Sequence, residues 1–313
     1  MQNGIVFFPN SRNRGDDIQT YAASLLVKNP SFCDREQLHK VKTPTKLLCN
    51  GWFMEDAANW PPSTAVHPHF ISFHISSKQE KRMTNPSSIA YLKQYEPIGC
   101  RDTHTLNLLR QYDVDAYYSG CLTLTLPPFT GNRKDDILFV DVLRTNYSSR
   151  YRKAVVKQLI PVDLRGKVQF ETHFSNDLHR QDASQRMLAA KELLDRYAKA
   201  KVVFTSLIHC ALPCLAMGTP VVFIDGGFNN NKAKRDRFGG ITDMLTSVSD
   251  LNLPYAKRTV MHKIARGMGF YRCNQHQIKT LPKSLFNPSR PTSTHDEIAE
   301  KMYESVSNFF STN

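Results

Sequence analysis

Residues 201–225, KVVFTSLIHCALPCLAMGTPVVFID, decide the fold. Residues 202–204 and 221–224 are short, continuous, Val-rich apolar runs, the pattern of parallel strands covered on both faces. Between them a two-residue turn, Thr205 and Ser206, leads into a short apolar helix that carries His209 near its start and stops at Gly218. This strand–helix–strand unit sets Ser206, His209 and the helix-start N–H groups at the carboxyl end of a strand. There, open α/β sheets bind ligands and helix ends favour anions. An imidazole at that place is a candidate proton donor to an anionic substrate.

Outward from this unit the same alternation recurs. Residues 4–8 form an apolar run that empties into PNSRNRGDD, followed by a helix with Ile18, Tyr21, Ala22 and Leu25 on one stripe and Asp16 or Asp17 as its cap. The loop Asn13-Arg14-Gly15-Asp16 offers a glycine for close approach, a carboxylate and nearby arginines; read locally, it is equally a capped turn. Residues 46–49 and 70–75 read as strands joined by a long connection that contains Asn50-Gly51, Trp52 and Trp60. Loops of that length are commonly functional. The two indoles either form a flat wall for a sugar acceptor or pack the loop onto its domain.

Further along, residues 98–100 and 116–118 read as short strands, with Arg101 at a strand end and Asp102 capping a helix. A turn-rich, charged connector over 127–136 precedes the most apolar strand, 137–142, and marks a boundary between units 1–130 and 131–313. The second unit repeats strand and helix through 148–159, 168–170 and 182–198. His173 lies just past a strand end and either orients an acceptor or sits hydrogen-bonded in the core. The basic loop 226–240 reads as mobile. Thr294 and Glu297 suit a capping box for a last helix with Ile298, Met302, Val306 and Phe309 on one stripe. The expected fold is therefore α/β, with two Rossmann-like domains facing a cleft and the C-terminal helix packing back.

Composition narrows the function classes. The 313 residues, 41% hydrophobic and 22% charged, describe an ordinary globular protein. No stretch approaches the roughly 18–20 apolar residues of a membrane span, and the first residues lack a signal-peptide pattern, so the expected location is cytoplasmic. A formal charge of +13 suits nucleic acid, an anionic membrane leaflet or an anionic small substrate. The basic residues are scattered, with no nucleic-acid motif, so no specific nucleic-acid partner is expected. Peripheral contact with the inner membrane face is. The seven cysteines are scattered and read as reduced buried thiols, and no residues fall at metal-ligand spacing.

Four segments together resemble the polysaccharide pyruvyl transferase family. They are the Asn13–Asp16 loop with its helix, GCRDTHTLNLLRQYDVDAYYSGCLTLTL over 99–126, Arg144 after the first strand of the second half, and TSLIHCALPCLAMGTPVVFI over 205–224. The resemblance implies a GT-B-like architecture with an acceptor-side first domain and a donor-side second domain. It also implies transfer of a pyruvyl group from phosphoenolpyruvate, as co-substrate and without a further cofactor, to a sugar or oligosaccharide of a surface polysaccharide or glycan precursor, lipid-linked forms included. A ketal forms and phosphate leaves.

On that likeness Arg144 and an Arg-Leu-His block bind and activate the donor. His209 takes the acid's place, and Ser206 with the adjoining N–H groups completes the cradle. Here the block reads Leu207-Ile208-His209, so leucine stands at the arginine position and the planar two-pronged cation is missing. Three outcomes stay open: Arg101, Arg12 or Lys232 supplies the charge, the donor differs, or the chain is inactive. A nucleotide-sugar glycosyltransferase with Asp225 or Glu171 on the ribose is one alternative, and an inactive carbohydrate-binding homologue the other.

Overall fold

The computed structural model describes residues 1–144, 149–225, 238–249, 251, 278–288 and 295–311. The basic loop 226–237, with Lys232, and Thr294 of the expected capping box lie outside these residues.

The first unit comprises β1 (Gln2–Phe7), α1 (Arg14–Leu26), β2 (Ser31–Asp34), β3 (Thr45–Phe53), β4 (Val66–Ile75), α2 (Glu80–Met83), α3 (Pro86–Lys93), β5 (Ile98–Cys100), α4 (Thr103–Arg110) and β6 (Ala116–Tyr118). Its six strands are all parallel, in the order β2-β1-β3-β4-β5-β6. The second unit comprises β7 (Ile137–Val140), α5 (Ser149–Leu159), β8 (Val168–Glu171), α6 (Ala183–Lys199), β9 (Val202–Thr205), α7 (Ile208–Ala216), β10 (Val221–Ile224) and β11 (Thr246–Val248). Its parallel order, β11-β10-β9-β7-β8, repeats the course of the first five strands of the other sheet. In each sheet the chain reverses direction once, between β1 and β3 and between β7 and β9. The carboxyl ends at such reversals are where doubly wound sheets hold ligands.

The unit read first from the sequence is present as β9, α7 and β10, with Gly218 at φ +69° ending the helix. All nine residues of α7 are buried. Other readings change. The N-cap of α1 is Asn13, whose side chain accepts from Gly15 N at 3.0 Å, while Asp16 and Asp17 lie inside the first turn. The Asn50-Gly51 pair, read as part of the long connection, is a bulge within β3. Gly51 takes φ +88°, the register against β4 shifts there, and Trp52 therefore belongs to a strand. The edge strands β2 and β11 escaped notice because SFCD and TSV are largely polar and lie mostly unburied, so they write no apolar run.

One apolar core joins the units. It contains Ile5, Ile18 and Ala22 from the first, and Leu138, Val203, Ile208 and Leu212 from the second. Across it runs a buried ion pair: Arg186 on α6 donates from Nε and Nη2 to Asp17 Oδ1 of α1, both at 2.8 Å. Its Nη1 and Nη2 also donate to the carbonyls of Pro9 and Ser11. Burial pushes the Asp17 carboxyl upward against the pull of Arg186.

The last helix, α8 (numbered in chain order; Asp296–Ser311), packs against the first unit and buries Met302 and Val306. Its Ser305 hydroxyl bonds His69 Nε2 at 2.9 Å, Phe309 stacks on the His69 ring, and Tyr303 donates to Thr125 O.

Two measurements test this packing. Arg186→Met strands a buried carboxylate, and urea unfolding is expected to show a loss of about 3–5 kcal/mol. Burial pushes His69 down to about 4, below its unfolded value of roughly 6.5. The fold therefore favours the neutral ring, and that contribution is full above the unfolded value and lost as pH falls toward the folded one. Between pH 7 and 5 the protein is expected to lose about 2 kcal/mol more than His69→Phe does in matched urea titrations.

Candidate active site

The loop after β1 meets the loop after the edge strand β8. Arg14 N donates to His173 O at 2.8 Å, Ser175 N to Arg12 O at 3.2 Å, and Asn13 bridges Phe174. At their meeting point stands Gly15. A Cβ there would lie 3.1 Å from Asn13 Oδ1, from His173 Nδ1 and from His209 Cβ, so only glycine lets the three come together without displacement.

His209, in the first turn of α7, is almost wholly buried, with its Nδ1 4.0 Å from Cys121 Sγ. Cys121 follows β6, so both units contribute to the imidazole's surroundings. His173 is fully buried, its Nε2 2.8 Å from Tyr197 Oη. Leu207 occupies the N-cap of α7 and offers no capping side chain. Ile208 points into the interunit core.

Arg144 follows β7. Its guanidinium carbon lies 3.7 Å from the Phe174 ring centre, and Nη1 is 3.4 Å from Asp141 Oδ1 and 3.5 Å from Thr172 Oγ1. Asp141 is the hub of this loop. Its carboxylate accepts from Thr172 Oγ1 at 2.9 Å and His173 N at 2.7 Å, and Arg152 Nη1 stands 3.6 Å away. Asp141 and Leu143 take φ +45° and +57°, a conformation that costs non-glycine residues energy and concentrates at functional loops. Ser206, expected in the ligand cradle, is committed elsewhere: its hydroxyl donates to Ile224 O at 2.7 Å and accepts from Leu143 N at 3.0 Å. It ties the Arg144 loop to β10.

Arg101 and Asp102 lie at the carboxyl end of β5, beneath the second unit. Thr103 N donates to Gly239 O, and Tyr118 Oη to Gly240 O. The Asp102 carboxylate caps α4 through Thr105 N and reaches His74 Nδ1 at 2.6 Å. Burial alone would raise it, but His74 and Arg101 hold it down at about 2. Arg101 is fully buried, and among the described residues none of its three guanidinium nitrogens has a hydrogen-bond partner; Asp102 Oδ2 is 3.6 Å from Nε. A buried guanidinium of this kind is a candidate contact for an anion or an ordered water.

The tryptophans separate. Trp60 sits among Phe53, Phe70, Phe73 and Tyr91 in the first unit's core, so it offers no free wall to a sugar. Trp52 lines a cavity of about 160 Å³ with Asp16, Asp34, Glu36 and Glu55, and Arg35 covers one face of its ring at 4.6 Å. Of the ribose candidates, Glu171 is paired with Arg196 at 2.6 Å, and Asp225 ends β10 with its N–H on Val248 O. Arg12 is exposed. Among the described residues no three His, Cys, Asp or Glu side chains converge as metal ligands, and no helix is long and apolar enough to cross a membrane.

A comparison with family profiles matches residues 26–227, more than half of the chain, to the family described as polysaccharide pyruvyl transferase. The chain belongs to the polysaccharide pyruvyl transferase family. The matched span holds Arg101, Arg144, His173 and Leu207–His209, whereas the Asn13–Asp16 loop precedes it. No curated protein matches the chain.

Sequence reading missed Asp141, Tyr197 and Cys121. Asp141 had a usable signal, being an acid that directly follows the most apolar strand at the sheet's carboxyl edge. Asp141→Ala is expected to leave Thr172, His173 N and two arginines without their anion. Urea unfolding should then show a loss of about 3 kcal/mol.

Proposed function

We propose that this pyruvyl transferase family member moves the pyruvyl group of phosphoenolpyruvate onto two hydroxyls of a sugar in a polysaccharide or lipid-linked glycan precursor. A ketal forms and phosphate is released. The observation that carries this reading is the meeting of His209, His173 and the Asn13–Gly15 loop at Gly15, next to the Arg144 loop. It brings one candidate acid and one half-exposed cation to the chain reversals of both sheets.

In this reading the two units act as the halves of a GT-B-like enzyme, divided at 130/131, with the acceptor on the first and the donor on the second. His209, as imidazolium, delivers a proton to the methylene carbon. The cation developing at C2 is captured by one sugar hydroxyl; the second hydroxyl then displaces phosphate. Of the two hydroxyl protons, one replaces that given by His209 and the other leaves with phosphate, so the balance closes. Arg144 holds the donor's carboxylate or phosphate, and the uncapped start of α7 adds N–H groups.

The donor carries about three negative charges. With leucine at 207, Arg101 is the cation we assign to the remaining charge, because its buried guanidinium has no hydrogen-bond partner among the described residues. The acid-lined cavity beside Trp52 and Asp16 suits hydroxyl groups of the acceptor.

Phosphate release and thermal shift with phosphoenolpyruvate and sugar acceptors test the proposal. His209→Gln is expected to lower turnover by about 10²–10³-fold. Arg101→Met is expected to raise the donor KM by about tenfold or more. A Leu207→Arg variant separates the remaining outcomes: if it alone responds, this chain is a disabled member. If neither form binds or turns over the donor, the reading fails. Release of a nucleoside diphosphate from a nucleotide sugar would replace it with glycosyl transfer.

A further inference from the structure

A groove of about 520 Å³ opens between α5 and the edge strand β8, on the outer side of the second sheet. Phe139, Val142, Val156, Ile160 and Phe170 floor it, and Arg152, Lys153, Lys157 and Arg165 stand around it. Its two acids are already neutralised: Asp141 faces Arg144 and Arg152, and Glu171 holds Arg196 at 2.6 Å. Among the described residues no carboxylate pairs with Lys153, Lys157 or Arg165, whose Nε donates only to Ile160 O. The groove therefore carries surplus positive charge over an apolar floor.

Its mouth is apolar as well. Phe170, packed against Phe139, is 62% exposed, and Val162, on the connection from α5 to β8, is 76% exposed. Large apolar side chains held in water beside unpaired cations mark an interaction surface. A small polar anion would leave the floor unused, and an apolar protein face would leave the cations unpaired. An apolar chain with a phosphate head satisfies both halves.

We propose that this groove is a docking site for anionic phospholipid. Lys153, Lys157 and Arg165 meet the headgroup phosphates, while Phe170 and the floor behind it receive acyl chain, holding the protein against an anionic bilayer. The groove shares Asp141 with the Arg144 loop, but Lys153, Lys157, Arg165 and Phe170 have no part in the chemistry assigned to His209, so the proposal stands or falls without it.

The test is co-sedimentation of the full chain with phosphatidylglycerol–phosphatidylcholine vesicles against pure phosphatidylcholine vesicles. Binding is expected on the anionic vesicles alone and is expected to weaken as salt rises. Lys153→Glu with Lys157→Glu should reduce it about tenfold or more, and Phe170→Ser about tenfold. Lys81→Glu with Lys93→Glu, the same charge change on the first unit, should reduce it less than about threefold. Equal binding to both vesicle types, no binding, or equal losses from the two double variants would overturn the proposal. So would an unchanged Phe170→Ser.

Discussion

Arg186 sits on α6 of the second unit, yet every hydrogen bond recorded from its guanidinium goes to the first: Asp17, Pro9 O and Ser11 O, with the Phe7 ring beneath it at 5.3 Å. Planar guanidinium is suited to this, because five donors in one fork can hold a loop and a helix at once. The loop it grips is the one that carries Asn13 and Gly15 against His173 and His209. The position of the candidate acid relative to the first unit therefore hangs on a charge-assisted contact remote from it. The apolar core around α1, α6 and α7 supplies adhesion, and the ion pair supplies registry.

Beyond that grip, the site is assembled by polar groups that each serve two segments. Asp141 holds Arg144, Thr172 and the His173 N–H, and Ser206 ties the Arg144 loop to β10. The left-handed backbone at Asp141 and Leu143 is tolerated because these bonds over-determine it. The rigidity falls on the loop after β7, while Arg101, at the end of β5 in the first sheet, has the Asp102 carboxylate 3.6 Å from its Nε.

Much of the fold is legible in the sequence because parallel strands buried on both faces write themselves as apolar runs, as at 137–140, 202–205 and 221–224. Capping residues are legible where a carboxylate precedes a helix, as Asp102 and Asp182 do. Asn50-Gly51 looks like the end of a strand because a left-handed glycine is as usual just past a strand as in a bulge inside one. The places of the candidates His209 and Arg144, just past strand ends, were readable because they lie in recognisable blocks. Trp60 and Trp52 look alike in sequence, since which indole faces a cavity depends on contacts with Tyr91 and Arg35 that arrive from other elements. Asp17 and Arg186, 169 positions apart, could not be paired by any local pattern.

The helix α8 belongs to the end of the chain but lies on the first unit. The polypeptide therefore crosses between the units twice, once between β6 and β7 and again on the way to α8. Neither unit is therefore a self-contained length of sequence: a chain cut at 130/131 would leave the first sheet without the helix whose Ser305 and Phe309 cover His69.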